Sequence, residues 1–133
     1  MSGNQSRLTT KKILPYLLLL FACTLAAQTT PIPDANFEQE LIDLGIDTNG
    51  LTRDILDSDA TTITTITITR TDITDFSGLE IFVDLTDLNL GSNNFTTVPL
   101  STLTLLENLS FANNDVLATL DLSQNANLKT LFA

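Results

Sequence analysis

One motif returns along the second half of the chain at a nearly constant interval. It opens as ITTITITRTDI at position 63, LTDLNLGSNNF at 85, LENLSFANNDV at 106 and LKTLFA at 128, so successive copies start 22, 21 and 22 residues apart. No other feature restricts the fold as much. A unit this short cannot bury its own apolar side chains, so each copy must stack on the next and share one continuous core. Within a copy, neither the helical nor the strand period holds from end to end. Leu88 and Leu90 are two apart, which points both to one side of a short strand. Leu85 enters the core from the corner before that strand, and Phe95 is expected to return to it after a turn, as Val116 does in the next copy.

The turn explains the asparagine. A bend tucked inside a coil leaves backbone N–H and C=O groups unpaired, which is costly once they leave water. A carboxamide donates and accepts, so Asn93 and Asn114 are expected to satisfy those groups and to stack as a ladder between coils. The first copy departs from the pattern, with Thr71 at the ladder position and isoleucine at 63, 66, 68 and 73. Its threonines alternate with isoleucines, which reads as a β-branched strand with one wet face.

Period and spacing together, L-x-x-L-x-L-x-x-N-x-L, resemble the leucine-rich-repeat family from about position 61 to the end. The resemblance implies an α/β solenoid with a parallel concave β-sheet, short irregular or β convex segments and an N-terminal helical cap. FSGLEIFVDL (76–85) resembles the segment leading one coil into the next, and TTVPLSTLTLL (96–106) a proline-containing convex segment. LATLDLSQNANL (117–128) repeats the leucine and asparagine spacing within one coil, so a second short strand is expected on its back. Certain secreted or surface bacterial leucine-rich-repeat proteins show a similar doubled arrangement. They often begin with a segment similar to IPDANFEQELIDLGID, here 32–47.

That segment reads as a cap over the first coil, which would otherwise expose an apolar end. Asp34 is a good helix N-cap after Pro33, and acidic residues fill the first turns. Phe37, Leu41, Ile42 and Leu44 form the expected apolar stripe, and Gly45 stops the helix. RDILDSDA (53–60) is expected to add a turn of helix. Between them DTNG (47–50), with Asp54 and Asp57 downstream, places oxygens at alternate positions like the start of a calcium loop. The EF-hand spacing fails, because position 51 is leucine, the glycine comes early and no glutamate closes the loop. The stretch therefore reads as an Asn-Gly turn.

The front of the chain reads as an export signal. Arg7, Lys11 and Lys12 precede the apolar run ILPYLLLLFACTL and the small residues AAQTT, with cleavage expected after Ala27. The run is shorter than a membrane span. LFAC, 20–23, resembles the lipobox of bacterial lipoproteins, so lipidation of Cys23 is the alternative to its removal, and a membrane becomes a partner only in that case. The organisation is thus 1–27 signal peptide, 28–60 N-terminal helical cap and 61–133 repeats, about three coils plus a truncated fourth. Because LKTLFA stops before its next ladder asparagine, the chain is expected to be the N-terminal portion of a longer surface protein.

Composition limits the chemistry. Without the leader, Arg53, Arg70 and Lys129 stand against 16 carboxylates, a formal charge of −13 that repels nucleic acid. Cys23 is the one cysteine, so no disulfide forms within the mature chain. There is no histidine or tryptophan, and Tyr16 lies in the leader. Histidine-dependent nucleophiles and histidine zinc sites are excluded, and the acidic residues show no catalytic pairing. No enzyme, cofactor or metal is expected. The candidate surface is the outward set on the strands: Thr65, Thr67, Thr69; Asp87, Asn89, Gly91; Asn108, Ser110, Ala112; Thr130 and Phe132. It implies a scaffold for an unknown protein or surface ligand. The second reading is an architectural segment of a longer surface protein or lipoprotein, with binding elsewhere.

Overall fold

A computed structural model describes residues 26–133. Cys23 and most of the expected leader lie outside the described residues. The order is β1 (Thr29–Pro31), α1 (Ala35–Asp43), β2 (Asp54–Leu56), a 3₁₀ turn at Asp57–Ala60, β3 (Thr65–Thr67), a second 3₁₀ turn at Leu79–Ile81, β4 (Asp87–Asn89), β5 (Asn108–Ser110) and β6 (Thr130–Phe132). Strands β3 to β6 form one parallel sheet in chain order, and β1 pairs antiparallel with β2.

The sheet register reproduces the sequence interval. Thr65 stands beside Asp87, Asp87 beside Asn108, and Asn108 beside Thr130. Ile66, Leu88 and Leu109 therefore stack behind the sheet, all at most 2% exposed. Leu85, Leu90, Phe95, Leu103 and Leu106 fill the space behind them. Val116 differs from its expected place: it is 45% exposed, and Asn114 and half-buried Leu117 hold the turn instead.

Ladder side chains join the coils at one end of the strands. Asn93 Nδ2 donates to the Ile68 carbonyl of the preceding coil at 2.9 Å and to the Leu90 carbonyl of its own at 3.1 Å. Its Oδ1 accepts from Thr71 Oγ1 at 2.8 Å and from the Ile73 N–H at 3.3 Å, so the threonine of the divergent copy joins the same network. Asn114 Nδ2 donates to Leu90 O at 3.0 Å and Phe111 O at 2.8 Å, while its Oδ1 accepts from the Asn93 N–H at 3.2 Å. The residue before each ladder position is left-handed: Arg70 at φ 65°, Ser92 at 59° and Asn113 at 60°.

The back of the 106–127 coil corrects one expectation. No strand forms over 117–128. The second asparagine of the doubled motif is nevertheless buried, and Asn125 Nδ2 donates to the Leu100 and Leu103 carbonyls one coil earlier, at 3.0 and 2.8 Å. The doubled spacing thus marks a buried asparagine whose amide N–H groups bridge to the preceding coil, while its Oδ1 is left without a partner, and it marks no strand.

At the other end, α1 begins where Asp34 Oδ1 accepts from the N–H groups of Asn36 and Phe37, and the chain leaves it through Gly45 at φ +71°. Phe37 and Leu41 are fully buried, but Leu44 is 46% exposed and Ile46 takes the place expected of it. Residues 54–56, expected as helix, are strand β2, because β1 lies alongside and shares their hydrogen bonds. The helical turn begins only at Asp57. The Phe37 ring meets Phe76 edge-on at 5.0 Å, and Phe76 meets Phe95 at 5.1 Å, so α1 and two coils share one core.

Candidate functional site

Strand alternation puts the two flanks of Ile66, Leu88, Leu109 and Leu131 on the open face of the sheet. Across neighbouring coils they form two columns, Thr65–Asp87–Asn108–Thr130 and Thr67–Asn89–Ser110–Phe132. Columns of this kind bring side chains about 4.8 Å apart along the hydrogen-bonding direction. Thr67, Asp87, Asn89, Asn108, Ser110 and Phe132 line a shallow depression of about 270 Å³ on this face. Phe132 stands at its edge, 63% exposed. Thr69 is exposed just beyond β3 and lies against Gly91 of the next coil.

Hydrogen bonds fix part of this surface. Asn108 Nδ2 donates to Asp87 Oδ1 at 2.6 Å, and Thr86 Oγ1 donates to Asp87 Oδ2 at 2.8 Å. Asn89 Oδ1 accepts from the Gly91 N–H at 3.1 Å, which holds that side chain along its strand. A Cβ at Gly91 would meet Ala112 O and Asn89 Oδ1, both at 3.3 Å, so a small residue belongs there. Beside the face Lys129 Nζ pairs with Glu107 at 2.8 Å, the one ion pair among the described residues. It is solvated and adds little stability. Such a surface is short, polar and partly preorganised. It can exchange hydrogen bonds with a partner, and it carries one aromatic anchor. Asn93 and Asn114 lie off this face, in the buried turns that support it.

A scan against protein-family models finds no match, and neither does a search of curated proteins. Solved structures do match. The functional domain of InlJ from Listeria monocytogenes, described as including a cysteine ladder, superposes with a TM-score of 0.67 at 33% identity. The fold is a leucine-rich-repeat solenoid. An internalin, InlF, from the same species superposes with a TM-score of 0.63 at 26% identity. Each superposition covers 81% of this chain, whereas the chain spans 24% of the first structure and 33% of the second. The ladder of this chain is threonine and asparagine. No described helix is long and apolar enough to cross a membrane.

Two features of the N-terminal segment escaped sequence reasoning. Asp34 was read as a helix cap, yet its second oxygen accepts from Thr74 N, Thr74 Oγ1 and Asp75 N in the first coil. Burial alone would raise its pKa, but N–H donors from Thr74, Phe37, Asn36 and Asp75 outweigh it and hold the carboxyl below its ordinary value. Glu38 was counted among the acidic residues that fill the first turns of the helix, and it is fully buried. Its position three before Leu41, on the apolar face, was the available signal.

Proposed function

We propose that this solenoid is an exported binding scaffold whose open sheet face, from Thr65 to Phe132, takes up a protein partner. The observation that carries the reading is the pair of polar columns ending at an exposed phenylalanine beside a depression, on a sheet held rigid by buried ladder residues. Leucine-rich-repeat architecture fits the role, since a stacked solenoid presents an extended surface that no single coil could offer. Export follows from the basic and apolar leader with cleavage after Ala27, and the mature charge of −13 favours a partner that is neutral or cationic. The chain is not read as an enzyme, because this face gathers hydrogen-bonding groups without a base, nucleophile or paired carboxylates. The segment before β3 acts as the cap of the solenoid, joined to it through the three phenylalanine rings.

The test is site-directed photocrosslinking. A photoreactive phenylalanine analogue at Ser110 should give one discrete crosslinked species when the exported protein meets its native surface. The same analogue at Thr119, on the exposed back, should give none. Equal labelling from both positions, or none from either, would leave the architectural reading. One observation favours that second reading: the face carries no tryptophan, tyrosine or arginine, the residues that most often dominate binding energy.

A further inference from the structure

Asp87 is the one ionisable side chain in the two columns of the open face, and it lines the same depression as Phe132. Neutral groups hold this half-buried carboxylate in place. Its Oδ1 accepts from Asn108 Nδ2 at 2.6 Å, and its Oδ2 from Thr86 Oγ1 at 2.8 Å. A carboxylate offers about two acceptor positions on each oxygen, so one on each is still open. Among the described residues no cation pairs with Asp87, since the one ion pair joins Lys129 to Glu107 beside the face. The negative charge is therefore fixed by its neighbours without being neutralised by them.

Covering such a group has a consequence for the partner. Stripping water from a carboxylate is costly unless a cation takes its place. A partner that lays neutral or acidic groups over the depression is thus disfavoured, and one that brings a cation is selected. One open position on each oxygen suits the planar fork of a guanidinium, which bonds both oxygens at once, better than the point charge of an ammonium. Phe132 is the second fixed point. It stands two strands further on and in the other column, about 12 Å from Asp87 by strand spacing and rise. An arginine paired with Asp87 leaves that ring to another, apolar side chain. We infer that the segment taken up by this face presents an arginine to Asp87 and an apolar side chain to Phe132, an inference that rests on the binding reading above. Asn89 and Ser110, on the strands between, add amide and hydroxyl groups that can bond the segment's backbone.

The experiment pans a library of random linear peptides on the full exported chain and keeps those that crosslink through the photoreactive analogue at Ser110. These face-bound peptides should be enriched in arginine and in one large apolar residue. Their Kd, read by fluorescence anisotropy, should rise about tenfold on Asp87→Asn and clearly on Phe132→Ser. Asp87→Asn keeps the fold, because its amide can donate to Thr86 Oγ1, whose own hydrogen then goes to Thr64 O at 3.2 Å; an unchanged circular dichroism spectrum checks this. Should that variant fail to fold, the peptides decide on the parent chain: replacing their arginine by lysine should weaken binding several-fold, and by glutamine about tenfold or more. Face-bound peptides without arginine, or with a Kd indifferent both to Asp87→Asn and to loss of the peptide arginine, overturn the inference and leave the binding scaffold standing. If no peptide crosslinks at Ser110, both fall.

Discussion

Asp34 is where the N-terminal helix and the repeats meet, and two substitutions separate its two duties. Its Oδ1 caps α1, accepting from Asn36 N at 2.9 Å and Phe37 N at 3.3 Å. Its Oδ2 accepts from Thr74 N at 3.0 Å, Thr74 Oγ1 at 3.1 Å and Asp75 N at 3.2 Å. Asparagine caps a helix about as well as aspartate. Asp34→Asn therefore keeps the cap but sets an NH₂ group against the first-coil donors, whereas Asp34→Ala removes both. Loss of a cap costs roughly 1 kcal/mol. Hydrogen bonds to a charged group contribute about 1.5 to 3 kcal/mol, and these lie in partly solvated surroundings, so about 1 to 1.5 kcal/mol is the better figure for the clamp. The alanine variant should then lose about 2 to 3 kcal/mol and the asparagine variant about half of that. With a urea slope of ~1.5 kcal/mol per molar, the midpoints fall by roughly 1.5 M and 0.8 M. Circular dichroism is the assay, because residues 26–133 contain neither tryptophan nor tyrosine. The carboxyl is held below its ordinary pKa in the folded state, so its contribution is complete above the unfolded value of about 3.9 and is lost as pH falls through the folded one. The gap between parent and Asp34→Asn should be flat near neutrality and shrink below pH ~4. An asparagine variant as stable as the parent, or a gap that widens with acid, would refute the clamp.

Three further outcomes test the rest of the fold. Asn93→Ala should cost about 2 to 4 kcal/mol, since it leaves buried donors and carbonyls unpaired in two coils, while Asn94→Ala next to it stays within about 0.5 kcal/mol; paired urea titrations compare them. Gly78→Ala should destabilise by about 2 kcal/mol or more, because the backbone there sits at φ +99° and the new Cβ would lie 2.2 Å from Ile32 Cδ1 and 2.8 Å from Pro31 O. Removing the side chain at a left-handed position has the opposite sign: Arg70→Gly should raise the stability by up to about 1 kcal/mol in the same titration.

What was legible in the sequence was whatever the repeat states twice. Leu85, Leu88, Leu90 and Asn93 recur as Leu106, Leu109, Phe111 and Asn114, and a pairing that must work between every two coils leaves its interval in the chain. The open-face columns followed from the same alternation. Legibility failed where a residue's role depends on a partner that occurs once. β2 is strand because β1 lies beside it, and nothing within 53–60 records that neighbour. Leu44 and Val116 had the right spacing for the core, but each stands at the end of an element where the chain turns out to solvent. Glu38 misled in the opposite way, since a carboxylate in a first helical turn ordinarily faces water.

The ladder shows how one unit of the repeat tolerates divergence at another. A turn that needs a left-handed residue favours glycine or asparagine there, yet arginine and serine precede two of the three ladder positions. Strain of order 1 kcal/mol at each persists because the following side chain bonds across coils. Asn93 holds the Ile68 carbonyl, the Leu90 carbonyl, Thr71 and Ile73 at once. Thr71 lacks an amide and makes a single bond to that network, so the first coil leans on the second at its ladder position. Asp34 and the Phe37–Phe76 contact hold that same coil from its other side. Asn93→Ala and Asp34→Ala therefore loosen one coil from opposite faces, at Thr71 and Ile73 on one side and at Thr74 and Asp75 on the other. Sites this close through a shared coil depart from additivity by about 0.5 to 3 kcal/mol. The double variant should accordingly differ from the sum of the single losses by more than the usual error of about 0.3 to 0.5 kcal/mol. Strict additivity in urea would mean that the first coil stands independently of both neighbours.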